Sequence, residues 1–419
     1  MSTKDVASEV DLSQVDLIDF GLYRAGFPHS IFNQLRREAP VWWQPVPESL
    51  MQCSDPGFWV ISKYDDVQSV SRDAELFCSI DGPSITTMEE MKDTMLVTMD
   101  GEHHTRQRKT INSGFTPRMV SRLESQARKW ATRIVDRALE RGRVEFVNEV
   151  AYQLPMHMIA DIVGIPLEDR ESLFDLSTRL LNPGQPEDPE THSRHMAAQV
   201  EMFTYAQQLV QTKRDNPEDD VWTIISNIEF ENEDGTKEKM SELELNFFFF
   251  LLTLAGSETT RNAISHGLMA LVAHPDQLEK LRQDPAAMKP AVEEILRWAS
   301  PVAYFARRAT RDTQVRGTKI RAGERVTVWY PSANRDEEIF EDPFRFDVSR
   351  QPNHQVAFGG GGAHFCLGAN LARQEIAILF QELLGRAKEI EIVAPPKYSV
   401  LGILNPILVI PSEIQVRIT

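Results

Sequence analysis

Residues 241–274 constrain this chain more than any other stretch. Ser241 and Glu244 carry the spacing of a capping box, and LNFFFFLLTLAGSETTRNAISHGLMALVAH after them reads as one long helix stopped at Pro275. Its apolar face is far wider than a surface helix needs, so the helix is expected to run through the protein's centre. Gly256, Ser257 and Glu258 interrupt it, so it is not read as a membrane span.

The rest of the chain fits a mainly α fold with small β-sheets around that helix. Residues 1–30 read as an irregular arm leading into a helix at Ser30–Ala39. FWVIS (58–62) reads as a strand and KYDDVQSVSRD as the helix after it, and helical patterns dominate from Pro117 to Pro275. Beyond Pro301 come short strand-like pieces, TQVRGTKI and ERVTVWY, then an irregular meander and a last helix at Leu367–Leu384. NPGQPEDPETH (182–192) reads as a loop between helices. With no repeat and no long linker, one domain over residues 1–419 is expected, and a 42% hydrophobic content can fill its core.

A net charge of −17 argues against nucleic acid and anionic membrane surfaces as main partners. The opening MSTKDVASEVDLSQVDL lacks the basic end and apolar stretch of a signal peptide. Three cysteines in 419 residues make no disulfide framework. A soluble cytoplasmic protein is expected.

One cysteine, Cys366, lies just beyond four consecutive glycines in FGGGGAHFCLG (358–368). Four glycines are costly in backbone entropy, which suggests that something approaches this backbone closely. Cys366 stands where the turn enters a helix, a setting expected to lower its pKa and favour the thiolate. Gly368 leaves space for a flat ligand against the first turn. The plain alternative is an inert cysteine, as Cys53 and Cys78 read, having no comparable context.

Phe358, Gly362, His364, Cys366 and Gly368 resemble the cysteine-ligand loop of the cytochrome P450 superfamily of haem-thiolate monooxygenases. The resemblance implies that Cys366 is the metal ligand, holding the iron of haem b, with Phe358 and Gly368 beside it. It also implies that the glycines let the backbone lie against the porphyrin. Most members have one residue fewer between the Phe and the Cys.

Other segments match the family in the same order over roughly residues 90–370. AGSETT (255–260) places a carboxylate and hydroxyls inside a very apolar helix. Thr259 bonding back one turn and Glu258 pairing with a base would explain most of it, but not the small Ala255–Gly256 pair. The resemblance makes Ala255 and Gly256 the room for dioxygen, Thr259 its hydrogen-bonding partner and Glu258 a proton relay. Glu294 and Arg297 in EEILR would pass alone for a surface pair. The family buries that pair with a third arginine, matched by Arg350, as a structural clamp behind the haem. His104 and Arg108 in DGEHHTRQRK, Arg307 in YFARRATRD and His364 match residues that meet the haem propionates; Arg308 competes with Arg307 for that role. Each alone would suit a solvated surface.

The family splits dioxygen with electrons that originate from NAD(P)H. This chain carries no flavin, nicotinamide or iron–sulfur fingerprint, so a ferredoxin and its reductase are implied partners. Arg106, Arg108, Lys109, Arg118, Arg122, Arg128 and Lys129, against the single acid Glu124, form a basic stretch where an acidic ferredoxin is expected to dock. Phe248, Leu251, Leu252, Val302, Ala303 and Phe305 are the expected pocket for an apolar substrate. GSETTRNAISHG, VEEILRWASPV and WYPSANRDE look like the mycobacterial subgroup that hydroxylates methyl-branched lipids and sterol side chains, which shares the extra glycine. Terminal (ω) hydroxylation of a branched isoprenoid, fatty or sterol chain is the implied reaction. Pro406 stands where relatives commonly have a glycine turn. The alternatives are a biosynthetic hydroxylase of a terpenoid or polyketide, and a haem-binding sensor without turnover.

Overall fold

The helix expected from Ser241 is present as Glu242–Ala273 in a computed structural model that describes residues 10–46, 55–87, 91–181, 189–231, 236–401 and 407–419. Its capping box closes as the sequence indicated. The Ser241 side chain accepts from the Glu244 backbone N–H, and the Glu244 carboxylate accepts from the Ser241 N–H at 2.8 Å. At ~1.5 Å per residue these 32 residues extend roughly 48 Å, a spine for the whole protein.

In chain order the helices are α1 (His29–Glu38), α2 (Tyr64–Arg72), α3 (Gly101–Gly114), α4 (Pro117–Arg141), α5 (Gln153–Val163), α6 (Arg170–Leu181) and α7 (Pro189–Asp215). They continue as α8 (Val221–Asn227), the spine α9, α10 (Pro275–Gln283), α11 (Met288–Ala299), α12 (Tyr330–Ala333) and α13 (Ala369–Arg386). The strands are β1 (Val41–Pro45), β2 (Gly57–Ile61), β3 (Phe77–Cys78), β4 (Arg143–Glu145), β5 (Glu229–Glu231), β6 (Lys237–Lys239) and β7 (Tyr304–Ala309). After them come β8 (Thr313–Val315), β9 (Thr318–Ile320), β10 (Arg325–Trp329), β11 (Ile390–Ile392), β12 (Lys397–Leu401), β13 (Leu408–Glu413) and β14 (Gln415–Ile418).

The largest sheet has the order β1-β2-β10-β7-β3, so its strands come from both sides of the helical block in sequence. β10 pairs parallel with β2 and antiparallel with β7, with Val328 opposite Ile61 and Phe305. The remaining strands form a three-stranded sheet, β11-β14-β4, and the hairpins β12-β13, β5-β6 and β8-β9.

The main core wraps α9. Trp222 of α8 stacks on Phe248 at 5.9 Å and meets Phe249 edge-on at 5.8 Å, so both phenylalanines are spent on packing. α4 starts where Thr116 accepts from the Met119 N–H and Pro117 takes the first helical position.

Several boundaries differ from the sequence expectation. α1 starts at His29, one residue early, because Pro28 fixes the entry. α7 starts at Pro189, so the end of the expected 182–192 loop is helical, while residues 182–188 lie outside the described set. Residues 1–9 of the expected arm lie outside the described set, and residues 10–28 hold only two short 3-10 turns, yet they are packed: Leu17 N donates to Gln44 Oε1 at 3.1 Å, and Tyr23 donates to the Leu17 carbonyl at 2.9 Å. Cys53 and Pro406 lie outside the described residues. No helix among the described residues is long and apolar enough to cross a membrane.

Candidate functional site

The cysteine loop is fitted to helix α2. Gly359, Gly361 and Gly362 adopt φ of 100°, 100° and 79°, a region that favours glycine. A Cβ on Gly360 would stand 2.7 Å from Ser71 Oγ and 2.8 Å from the Val67 carbonyl, and one on Gly362 would stand 2.5 Å from the Ser71 carbonyl. The run is therefore glycine because it presses on the end of α2, a reason different from the porphyrin approach expected. Gly368, by contrast, faces open space, with no atom within 4 Å of where its Cβ would be. α13 starts at Ala369 and not at Leu367, since Gly368 still stands outside helical geometry.

The Cys366 N–H donates to the Phe358 carbonyl at 3.0 Å. The expected fall in its pKa is not found. Desolvation by the surrounding groups raises the thiol, and the Gly368 N–H, Arg108 and Arg373 offset this only in part.

Arginine and histidine side chains gather around the loop. The rings of His104 and His364 lie 4.4 Å apart, and His364 Nε2 is 3.0 Å from Asp100 Oδ1. Asp100 precedes α3 without capping it, because its carboxylate is taken by His364 and by the Ser79 N–H at 2.6 Å. His104 is buried, and its Nε2 has no hydrogen-bond partner among the described residues. Burial, then the charges of His364 and Arg108, push the His104 pKa down to about 4. Arg108 donates to the Phe365 carbonyl at 2.6 Å. Arg307 is buried in β7 and donates to the Ala306 carbonyl at 2.7 Å, with no carboxylate partner among the described residues. Its charge helps to lower the His364 pKa, so the two lie within electrostatic reach.

The middle of α9 opens where a central helix should be closed. Ala255 is exposed, and Leu251, Leu252, Gly256 and Thr259 are partly exposed, while Phe248–Phe250 before them and Asn262–Ser265 after them are buried. Thr259 Oγ1 donates to the Ala255 carbonyl at 2.7 Å. Glu258 is buried and paired with Arg261, which also lies over the Tyr152 ring at 5.2 Å. Burial drives the Glu258 pKa up to about 7 against the pull of Arg261. Both plain contacts considered for Glu258 and Thr259 are thus present.

The small pair divides its work. A Cβ on Gly256 would meet Ile159 Cδ1 at 2.6 Å, so Gly256 serves close packing against α5, and the open space lies at Ala255. The expected pocket is smaller than its list. Phe248 is stacked in the core and Ala303 is buried in a backbone network with Ile407 and Tyr330, whereas Val302 and Phe305 remain partly exposed.

Glu294 and Arg297 of α11 are fully buried and joined by bonds of 2.7 and 2.8 Å, with Arg350 Nε 3.3 Å from Glu294. Arg297 also donates to the carbonyls of Asn334, Pro343 and Arg345, tying the meander to α11. Sequence reasoning missed Asn334. Its Nδ2 donates to Ser300 Oγ and its Oδ1 accepts from the Val356 N–H, each at 2.8 Å, linking the end of α11 to the cysteine loop. A lone asparagine in SANRDE carries no pattern that would single it out.

The cytochrome P450 family profile matches residues 20–416. This chain belongs to the cytochrome P450 family. It is 39% identical over 400 residues to a steroid C26-monooxygenase of Rhodococcus jostii, covering 94% of this chain and 83% of that one. It is likewise 39% identical over 386 residues to a methyl-branched lipid omega-hydroxylase of Mycobacterium tuberculosis, covering 90% and 89%. Among solved structures, a Mycobacterium marinum cytochrome P450 in complex with pseudoionone superposes with a TM-score of 0.87 at 36% identity, covering 98% and 99%.

The chain is a cytochrome P450 monooxygenase, using haem b, dioxygen and electrons from NAD(P)H. Its residues fit the haem. A dianionic group needs a buried cation short of counter-charge and polar atoms left free to meet it: Arg307 is that cation, and the neutral, buried His104 ring leaves its Nε2 without a partner among the described residues. A flat group needs open space, which Gly368 and the middle of α9 leave. The basic stretch of this cytochrome P450 is less basic than its sequence suggests. Arg118 and Arg122 meet Asp219, Arg128 meets Glu124 at 3.0 Å, and Arg106 covers the Phe230 ring at 4.7 Å. Lys109 and Lys129 remain exposed.

Proposed function

We propose that this cytochrome P450 hydroxylates the terminal carbon of a methyl-branched lipid or sterol side chain, acting as one domain over residues 1–419. The observation that carries this is the apolar opening in α9, where Leu251, Leu252 and Ala255 come to the surface beside a single hydroxyl, Thr259. An opening of that composition holds a hydrocarbon chain by exclusion of water and offers almost nothing to a polar substrate. The relatives' names support the choice: C26 of a steroid and the omega carbon of a lipid are both chain ends.

Haem bound through Cys366 supplies the oxidising chemistry. His104, Arg108, Arg307 and His364 hold the propionates, with Phe358 and Gly368 flanking the ligand loop. Glu294, Arg297 and Arg350 keep the meander in place behind it. Thr259 spends its O–H on the Ala255 carbonyl, so its remaining lone pairs accept from an O–H donor in the open space. Glu258, with a pKa of about 7, carries its proton about half the time at neutral pH and passes it inward. Leu251, Leu252, Val302 and Phe305 shape the pocket. Electrons arrive from a ferredoxin and its reductase in the cytoplasm, with Lys109 and Lys129 among the docking charges.

A panel of branched fatty acids, isoprenoids, sterols, terpenoids and polyketides tests this by substrate-induced spin shift and mass spectrometry of products. Branched chains and sterol side chains should shift the spin state and yield terminal alcohols. Products oxidised at tertiary carbons, or turnover of polyketides alone, would overturn it.

A further inference from the structure

Two ionic residues outside the machinery named so far converge on the cysteine loop. Glu293, next to Glu294 on α11, grips Arg373 of α13 through both carboxylate oxygens, Oε1 to Nε at 2.6 Å and Oε2 to Nη2 at 3.1 Å. The Arg373 guanidinium lies 4.5 Å over the ring of Phe358, whose carbonyl accepts the Cys366 N–H. Gln355 fastens the same carboxylate to the loop: its Nε2 donates to Glu293 Oε2 at 2.9 Å, and its Oε1 accepts from the Ala357 N–H at 2.7 Å. A fork-to-fork pair resting on an aromatic face is held in orientation, unlike an exposed lysine–glutamate contact.

We propose that Glu293 and Arg373 form a charge-compensated pair that sets how strongly Cys366 donates to its metal, with Arg373 drawing on the sulfur beside Phe358 and Glu293 restraining that draw. Both are positioning residues, and the inference rests on Cys366 being the haem ligand. A cation near the thiolate stabilises its negative charge, weakens its donation and favours the reduced iron; a nearby anion does the reverse. Arg108 is the other cation held on this loop, and it bonds to the Phe365 carbonyl with no carboxylate partner among the described residues. Arg373 is thus the cation around Cys366 that carries its own brake.

The two members of the pair should pull in opposite directions. Glu293→Gln leaves Arg373 uncompensated, and the haem reduction potential should rise. Arg373→Gln leaves Glu293 uncompensated, and the potential should fall. The double variant should return close to the parent, and Arg373→Lys, which keeps the charge and loses the fork, should stay near it. A threefold to tenfold change in the ferric-to-ferrous ratio at fixed potential corresponds to roughly 30 to 60 mV at 59 mV per tenfold for one electron. The measurement is a spectroelectrochemical titration of each holoenzyme, with the ferrous–carbon monoxide spectrum recorded alongside. Opposite shifts with the thiolate-ligated band intact support the inference. Shifts of the same sign, or none, with that band intact overturn it. If one of the single variants loses haem, the sign of the other decides: a rise for Glu293→Gln or a fall for Arg373→Gln supports the inference, and no shift or the opposite sign refutes it. Absence of the thiolate band in the parent protein would instead remove Cys366 as ligand.

Discussion

Arg307 and Arg308, adjacent in β7, serve opposite faces of the strand. Arg308 lies bidentate on Asp55 at 3.0 and 3.1 Å and also meets Asp81, whereas Arg307 is buried without a carboxylate among the described residues. Strand alternation alone separates a structural cation from one kept for a ligand. Arg307→Ala should therefore purify with substoichiometric haem yet near-parental secondary structure. Arg308→Ala should keep its haem and lose about 2 kcal/mol of stability, the order expected when charged hydrogen bonds are removed. Haem content per folded protein and denaturant titration separate the two.

Replacing the sulfur tests the ligand directly. Cys366→Ser should abolish the reduced carbon-monoxide band that gives the family its name. Persistence of that band would exclude Cys366 as the ligand.

Glu258 makes coupling pH-dependent. Its carboxyl is neutral below about pH 7 and ionised above it, so proton delivery should weaken as pH rises through about 7. The linked stability has the same sign. The folded state holds this proton up to about pH 7 and the unfolded state only to about 4.5, so stability falls as pH rises between them. Glu258→Gln should flatten both profiles, read as product formed per NAD(P)H consumed and as denaturation midpoint against pH. Thr259→Ala should keep haem and substrate binding while diverting reducing equivalents to hydrogen peroxide. Unchanged coupling would remove Thr259 from the relay.

The glycine run is tested at Gly362. Gly362→Ala adds a Cβ that would stand 2.5 Å from the Ser71 carbonyl at a φ of 79°, so strain and collision act together. A loss of about 2 to 3 kcal/mol is expected, with weakened haem retention. Gly368→Ala, which meets nothing, should leave the apoprotein's stability near the parent's while lowering haem affinity.

Asn334→Ala should cut the link from α11 to the loop. Removing two buried hydrogen bonds and leaving the Val356 N–H without its acceptor, while Ser300 Oγ keeps only its bond to the Arg297 carbonyl, should cost about 2 to 4 kcal/mol. Asn334→Asp cannot donate to Ser300 but still accepts from Val356, and it should retain the larger share of thiolate-ligated protein.

The sequence disclosed features whose causes are local. The Ser241–Glu244 box and the width of the apolar face were enough to find the spine, and Phe358, His364 and Cys366 were enough to find the loop. Features that depend on distant partners stayed hidden. Four glycines look alike in sequence, and only the position of α2 shows that Gly360 and Gly362 make room for Ser71 and Val67. The FFFF run does not say which ring meets Trp222, so Phe248 was expected in the pocket. The basic stretch from Arg106 to Lys129 seemed free because its counter-charge Asp219 lies about a hundred residues on. Cys366 was expected to be acidic from the helix terminus alone, before the desolvation around it was visible.

The seam between the glycines and α2 has a consequence for recombining such enzymes. Loop and helix are cut to one another like key and ward, with Gly360 on Val67 and Gly362 on Ser71, although almost three hundred residues of chain lie between them. A chimera that imports a foreign cysteine segment must import its own second helix as well, and crossovers that split them should yield colourless protein wherever the parents differ along this seam.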